Sequence, residues 1–162
     1  MKKYVLLFFF LLLFILGCTN ENAGRVTIDR STADPIQTFQ ETGDELCATE
    51  DGKPIIRMFS TSWCPHCKWI RETYTETLES YGGKIQGHLW ELDTNDDLFT
   101  PKKESVPPSE LELFNTYNPE GSIPTFVFGC QYVRVGNGYE VEGNLAAEIN
   151  EFNAIIDALL EQ

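Results

Sequence analysis

The middle of this 162-residue chain places two cysteines between a short apolar run and an amphipathic segment. Residues 55–61 are apolar on both faces, which is typical of a strand buried in the centre of a sheet. After the cysteines, apolar side chains recur at helical spacing until Gly82-Gly83, where a helix is expected to end. The pattern predicts a strand, a turn that carries Cys64-Pro65-His66-Cys67, and a helix.

Further strand and helix patterns follow along the chain. Residues 85–93 alternate as a second strand would, joined to the first by a right-handed crossover, and residues 110–117 fit a short helix after a loop. Residues 126–128 and 131–135 fit two strands with a tight turn at Gly129-Cys130, although Asn137-Gly138 is an alternative hairpin turn. A terminal helix is predicted from apolar residues at spacings of four and three: Leu145, Ile149, Phe152, Ile156 and Leu159.

The N-terminus has the pattern of an export signal. Lys2 and Lys3 precede an apolar run at positions 4–16, whose helical rise of about 20 Å is short of the roughly 30 Å hydrocarbon core. Ile15-Leu16-Gly17-Cys18 resembles the lipobox of lipoproteins, in which the Cys becomes lipidated; an ordinary or uncleaved signal is the alternative. We expect a lipoprotein signal peptide at residues 1–17 and an extracytoplasmic protein anchored to the membrane by lipid on Cys18.

Composition bounds the rest of the chain. Residues 18–44 are polar and predict a tether, with a short edge strand possible at 25–28, and residues 45–162 are expected to form one domain. A hydrophobic content of 42% is too high for a disordered chain. The net charge of −13 argues against binding to nucleic acid. It indicates a solvated surface or, alternatively, a preference for basic partners or high salt.

The paired cysteines point to redox chemistry. Two cysteines three positions apart at a helix start can bond or separate with little backbone movement. Cys64 lies where unpaired amides and the helix dipole favour a thiolate, so it is the expected nucleophile, and Cys67, one turn deeper, is the expected resolving thiol. Pro65 and His66 should tune the reduction potential, and His66, as a donor or cation, would make the disulfide more oxidising.

Trp63-Cys64-Pro65-His66-Cys67, together with Ile123-Pro124-Thr125, resembles the thioredoxin superfamily over about residues 55–160. Pro-His between the cysteines is similar to the periplasmic disulfide oxidases, whereas Trp63 and Ile-Pro-Thr are similar to thioredoxin itself. The resemblance implies an α/β thioredoxin fold with a central mixed sheet flanked by helices. It also implies that Pro124 is cis beside Cys64 and that Trp63, Ile123 and Pro124 line a substrate groove.

Two features depart from these relatives. Met58 stands where thioredoxins have a buried acid, which leaves a proton-acceptor role unfilled; Arg57 and Glu91 are candidate neighbours of the site. Only a short stretch separates Thr94 from Pro124, so the large helical insertion of the periplasmic oxidases is absent.

The expected function is exchange of disulfides with protein thiols or disulfides, without a cofactor or a metal, and with a membrane partner that recycles the cysteines. Oxidation or isomerisation is favoured over reduction. A copper chaperone or a non-catalytic binding module is the alternative. Zinc needs about four ligands, and the sequence has no second Cys-x-x-Cys. His88 is expected to be a packed or half-exposed strand residue.

Cys47 and Cys130 form a second candidate pair. In the expected fold Cys47 precedes the first strand and Cys130 follows a strand antiparallel to it, so both lie at the pole opposite Cys64. A structural disulfide there would close a loop of about 80 residues and stabilise by roughly 4 kcal/mol in the chain-entropy model. Two free thiols or a second redox relay are the alternatives.

Overall fold

The structure is a computed structural model that describes residues 34–162. Within that range the strands are β1 (Gln40–Glu41), β2 (Ile55–Ser60), β3 (Gln86–Glu91), β4 (Asp96–Asp97), β5 (Thr125–Phe128) and β6 (Tyr132–Val135). These six strands form one sheet in the order β1-β6-β5-β2-β3-β4. The α-helices of the same range are α1 (Pro65–Ser80), α2 (Pro108–Tyr117) and α3 (Leu145–Leu160).

The central β2–α1–β3 unit confirms the predicted crossover. β2 and β3 pair in parallel, with Ile55 opposite Gln86 and Ser60 opposite Glu91. β2 also pairs antiparallel with β5, so the sheet is mixed. Because β2 has neighbours on both edges and layers on both faces, its residues from Ile56 to Ser60 are all buried. The strand delivers the chain directly to the turn that carries the cysteines.

The β5–β6 hairpin turns at Gly129-Cys130, the first of the two predicted positions. Gly129 has φ +59°, and a Cβ there would lie 2.7 Å from Cδ2 of Leu159, so the position favours glycine. The alternative turn at Asn137-Gly138 does not form a hairpin, because β6 already ends at Val135.

Apolar side chains fill both faces of the sheet. On one face, α1 and α3 cover an aromatic cluster in which neighbouring ring centroids lie 5.1–6.3 Å apart. Its members are Phe39, Tyr74, Phe126, Phe128 and Phe152. On the other face, Phe114 of α2 packs on Phe59 with ring centroids 5.0 Å apart. A mixed sheet flanked by helices, with the Cys-x-x-Cys at the start of α1, confirms the predicted α/β class and thioredoxin fold.

The segment before residue 45 differs from the polar tether predicted for 18–44. From Asp34 onward it lies against the domain: Phe39 is 8% exposed and packs in the core, and β1 pairs with β6. Its backbone N–H groups at Gln37 and Thr38 donate to Glu151 of α3. The polar composition of this segment does not indicate that it packs on the domain, because one aromatic residue and a few hydrogen bonds suffice to dock a short edge strand. The signal peptide at 1–17, Cys18 and the possible strand at 25–28 lie outside the described residues.

The buried face of α3 also differs from the predicted stripe. Leu145 and Ile149 are 37% and 38% exposed, whereas Glu148 and Glu151 are buried. Their partner is Arg134 of β6, whose Nη2 donates to Glu148 at 2.6 Å and whose Nη1 lies 3.4 Å from Glu151. We call these three residues the Arg134 cluster. Burial lowers the pKa of Arg134, and the two carboxylates oppose that shift.

Cys47 and Cys130 form a disulfide in the structure, with Cα atoms 5.3 Å apart. The Cys47 N–H donates to the Gly129 carbonyl at 2.8 Å, which holds the pair beside the start of β2. The bond therefore lies at the end of the sheet opposite Cys64. No helix formed by residues 34–162 has the length and apolarity that crossing a membrane requires.

Candidate active site

Cys64 occupies the N-cap of α1. Its backbone is extended, with φ −71° and ψ 117°, and Pro65 follows at the first helical position, where the missing N–H costs nothing. Sγ of Cys64 accepts the backbone N–H of Cys67 at 3.1 Å. The two cysteines are joined by a disulfide, with Cα atoms 5.3 Å apart. The sulfur of Cys64 therefore sits where a helix start stabilises negative charge.

Both cysteines are shielded from solvent. Cys64 is 2% exposed and Cys67 is fully buried, so the remaining accessible surface belongs to Cys64. Trp63 beside it is 67% exposed, and the side chain of His66 is 61% exposed. Cys64 is therefore the sulfur of the pair that solvent reaches.

The Ile123–Pro124 peptide bond is cis and lies against the disulfide. Sγ of Cys64 is 3.9 Å from the carbonyl oxygen of Ile123. The loop that contains this bond is fixed by Asn118, which is 4% exposed. Nδ2 of Asn118 donates to Oγ1 of Thr125 at 2.8 Å. The hydroxyl of Thr125 in turn donates to the Ser122 carbonyl at 2.7 Å. Asn118 carries no motif that would have revealed this role in the sequence.

His66 is engaged by a loop from the far end of the chain. Its Nδ1 lies 2.9 Å from both carboxylate oxygens of Glu140. Asn137 completes the contact, since its Nδ2 donates to the His66 carbonyl at 2.9 Å and to Oε2 of Glu140 at 2.8 Å. Glu140 and Asn137 belong to the segment after β6, and neither was expected at the site from the sequence.

Neither candidate neighbour supplies the acid that Met58 lacks. Met58 is fully buried in the apolar cluster that also contains Cys67. Arg57, one of the two candidate neighbours, points to the other face and binds Glu110 at 2.7 and 3.0 Å. Glu91, the second candidate, is paired with Arg71 at 2.8 Å. The charges of both candidates are thus committed to partners other than the cysteines.

His88 is a part-buried strand residue, as expected, and it has two specific partners. Its Nδ1 lies 2.7 Å from Oδ2 of Asp97, and its ring stacks on Trp90 with centroids 4.6 Å apart. The contact with Asp97 fastens β4 to β3 within a stretch that reads as loop in the sequence. Across residues 34–162, no three His, Cys, Asp or Glu side chains are grouped so as to hold a metal ion.

Comparisons with known proteins give similarity at the level of structure. No protein-family model matches the sequence, and no curated protein matches it. Among solved structures, the oxidoreductase NmDsbA1 of Neisseria meningitidis is similar at 12% sequence identity and a TM-score of 0.49, covering 77% of this chain and 93% of that chain. The reduced form of DsbA1 from the same organism gives 14% identity and a TM-score of 0.48, covering 77% and 94%. The functional assignment therefore depends on the chain's own residues.

Proposed function

We propose that this protein is an extracytoplasmic thiol-disulfide oxidoreductase that exchanges disulfides with protein substrates. Cys64 is the nucleophile and Cys67 the resolving cysteine. One observation carries the proposal: Sγ of Cys64, bonded to Cys67, sits at a helix N-cap and accepts the Cys67 N–H at 3.1 Å. That position stabilises a thiolate, and a thiolate is the species that exchanges disulfides.

Oxidation of a substrate follows from this arrangement in two exchanges. A substrate thiolate attacks Sγ of Cys64, the Cys64–Cys67 bond breaks, and Cys67 leaves as a thiolate that takes up a proton. A second substrate thiolate attacks the substrate sulfur of the mixed disulfide, and Cys64 leaves as a thiolate stabilised by the Cys67 N–H. The substrate loses two electrons and the cysteine pair gains them, so an oxidant must regenerate the disulfide, and we propose that a membrane partner supplies it.

The substrate groove is formed by exposed Trp63 on one side and by Ile123 and cis Pro124 on the other. The Ile123 carbonyl is 3.9 Å from Sγ of Cys64, which puts this backbone beside the reacting sulfur. An extended substrate segment lying there would present its cysteine to Cys64. Asn118 and Thr125 keep the loop in place.

We favour oxidation or isomerisation over reduction because the buried, apolar Met58 stands where thioredoxins have an acid. A reductase needs the resolving thiol to lose its proton, and the apolar Met58 offers no acceptor. A redox titration of the cysteine pair against glutathione tests whether the protein oxidises or reduces its substrates. We expect a reduction potential closer to about −120 mV than to about −270 mV, which are typical of a strong oxidase and of a reductase. A value near the second figure would reverse the direction, and a pair that never equilibrates with glutathione would contradict the function.

We propose that a lipid on Cys18 anchors the protein to the membrane. Cleavage of the signal peptide at residues 1–17 would leave Cys18 as the first residue of the mature protein. Gly17-Cys18 directly after an apolar run supports it. We expect Cys18→Ser to move the protein from the membrane fraction to the soluble fraction of a Gram-negative expression host. Thr19→Ala, the adjacent control, should stay with the membrane. If the Cys18 variant also stays there, an uncleaved apolar segment rather than a lipid holds the protein.

A further inference from the structure

His66, one of the two residues between the cysteines, is held in place by the carboxylate of Glu140, which is distant in sequence. Nδ1 of His66 is 2.9 Å from both oxygens of Glu140, across 74 positions of sequence. Asn137 donates to the His66 carbonyl and to Glu140, so the loop after β6 and the start of α1 are joined by a closed set of hydrogen bonds. The orientation of His66 is therefore set by this loop.

The contact determines which ring nitrogen carries a proton. A carboxylate only accepts hydrogen bonds, so Nδ1 of His66 must be the donor to Glu140. That N–H is directed at the carboxylate and is not free to donate to the sulfur of Cys64. Sγ of Cys64 instead accepts a hydrogen bond from the backbone N–H of Cys67.

Glu140 also changes the charge beside the redox site. An imidazole alone carries a charge between zero and +1, whereas the imidazole together with a carboxylate carries a charge between −1 and zero. A thiolate on Cys64 is stabilised by positive charge and opposed by negative charge. The pair is thus less favourable to the thiolate than an unpartnered His66 would be, which is the opposite of what Pro65-His66 indicates in the sequence.

We propose that Glu140 is a positioning residue that restrains His66 and makes the Cys64–Cys67 disulfide less oxidising than the Cys-Pro-His-Cys motif alone would be. The inference rests on the proposed function and adds a regulator of its potential. It also gives a role to Asn137, which holds the carboxylate against the ring.

The test is the equilibrium of the disulfide with glutathione in the folded protein, at pH 7.5 and low ionic strength. Two glutathione thiols reduce the Cys64–Cys67 disulfide to two thiols and are themselves oxidised to glutathione disulfide. We expect Glu140→Gln to shift this equilibrium toward the reduced protein about fivefold, or about 20 mV. Glu142→Gln, an exposed residue on the same loop, removes the same charge without touching His66 and should shift it much less.

Two further measurements separate a charge effect through His66 from a structural one. In 1 M NaCl the Debye length falls to about 3 Å, so the shift caused by Glu140→Gln should shrink. In a His66→Ala background, Glu140→Gln should produce less than half of its original shift, because without the imidazole the carboxylate is no longer held beside the redox site. An unchanged potential, a more reducing variant, an equal shift in Glu142→Gln, or a full shift without His66 would each overturn the inference. Failure of the unmodified protein to equilibrate with glutathione would instead contradict the proposed function.

Discussion

Replacing Cys64 by serine is expected to reduce oxidation of a reduced, unfolded protein to the uncatalysed background. A hydroxyl at the N-cap of α1 can accept the Cys67 N–H as the sulfur does, so the fold should be retained. It cannot form a mixed disulfide, because serine has no sulfur to exchange. The assay is recovery of activity by a reduced test protein in a redox buffer.

Cys67→Ser, unlike Cys64→Ser, should accumulate mixed disulfides with protein substrates. Its Cys64 thiolate can still attack a disulfide, but no second thiol releases the mixed disulfide. We expect covalent complexes with protein substrates that persist on a non-reducing gel and disappear with dithiothreitol. The Cys47→Ser/Cys130→Ser double variant is the matched control, since it removes two cysteines at the opposite pole. It should keep the exchange activity, and equal trapping by Cys64→Ser would contradict the order of attack.

Local patterns in the sequence were sufficient for the centre of the fold. β2, α1 and β3 follow from apolar runs and a helical stripe, and the β5–β6 turn follows from Gly129-Cys130 between two apolar runs. The cysteine pair and Pro124 sit in short motifs, so they could be found without knowing any long-range contact. Elements of this kind are set by neighbours in the chain.

The parts that were missed depend on partners far away in sequence. Glu148 and Glu151 fall outside the apolar stripe predicted for α3, and a glutamate is normally exposed unless a cation is buried beside it. Only the fold places Arg134 there. Asn137-Gly138 has the composition of a hairpin turn, yet the asparagine binds His66 and Glu140. No local signal distinguishes such contacts from ordinary polar loop residues.

The Arg134 cluster supports the largest expected change in stability. Arg134 is 5% exposed, its guanidinium lies 4.5–5.2 Å from the centroids of three phenylalanine rings, and it neutralises two carboxylates that are at most 1% exposed. Removing one partner of such a set leaves buried charge without compensation. Arg134→Met keeps most of the side-chain volume but none of the charge, so we expect a loss of about 3–5 kcal/mol in the free energy of unfolding.

Urea unfolding of the oxidised protein measures this loss, and a second variant identifies its cause. Arg71→Met breaks a more exposed ion pair, with Glu91, and should cost about 1 kcal/mol or less. Adding Glu148→Gln and Glu151→Gln to Arg134→Met should restore more than half of the lost stability, because neutral amides no longer need a buried cation. Glu151 also accepts from the Gln37 and Thr38 backbone, and an amide oxygen can still do so. If the triple variant were no more stable than Arg134→Met alone, the packing of the guanidinium on the aromatic rings, and not its charge, would hold α3 and the edge strand on the domain.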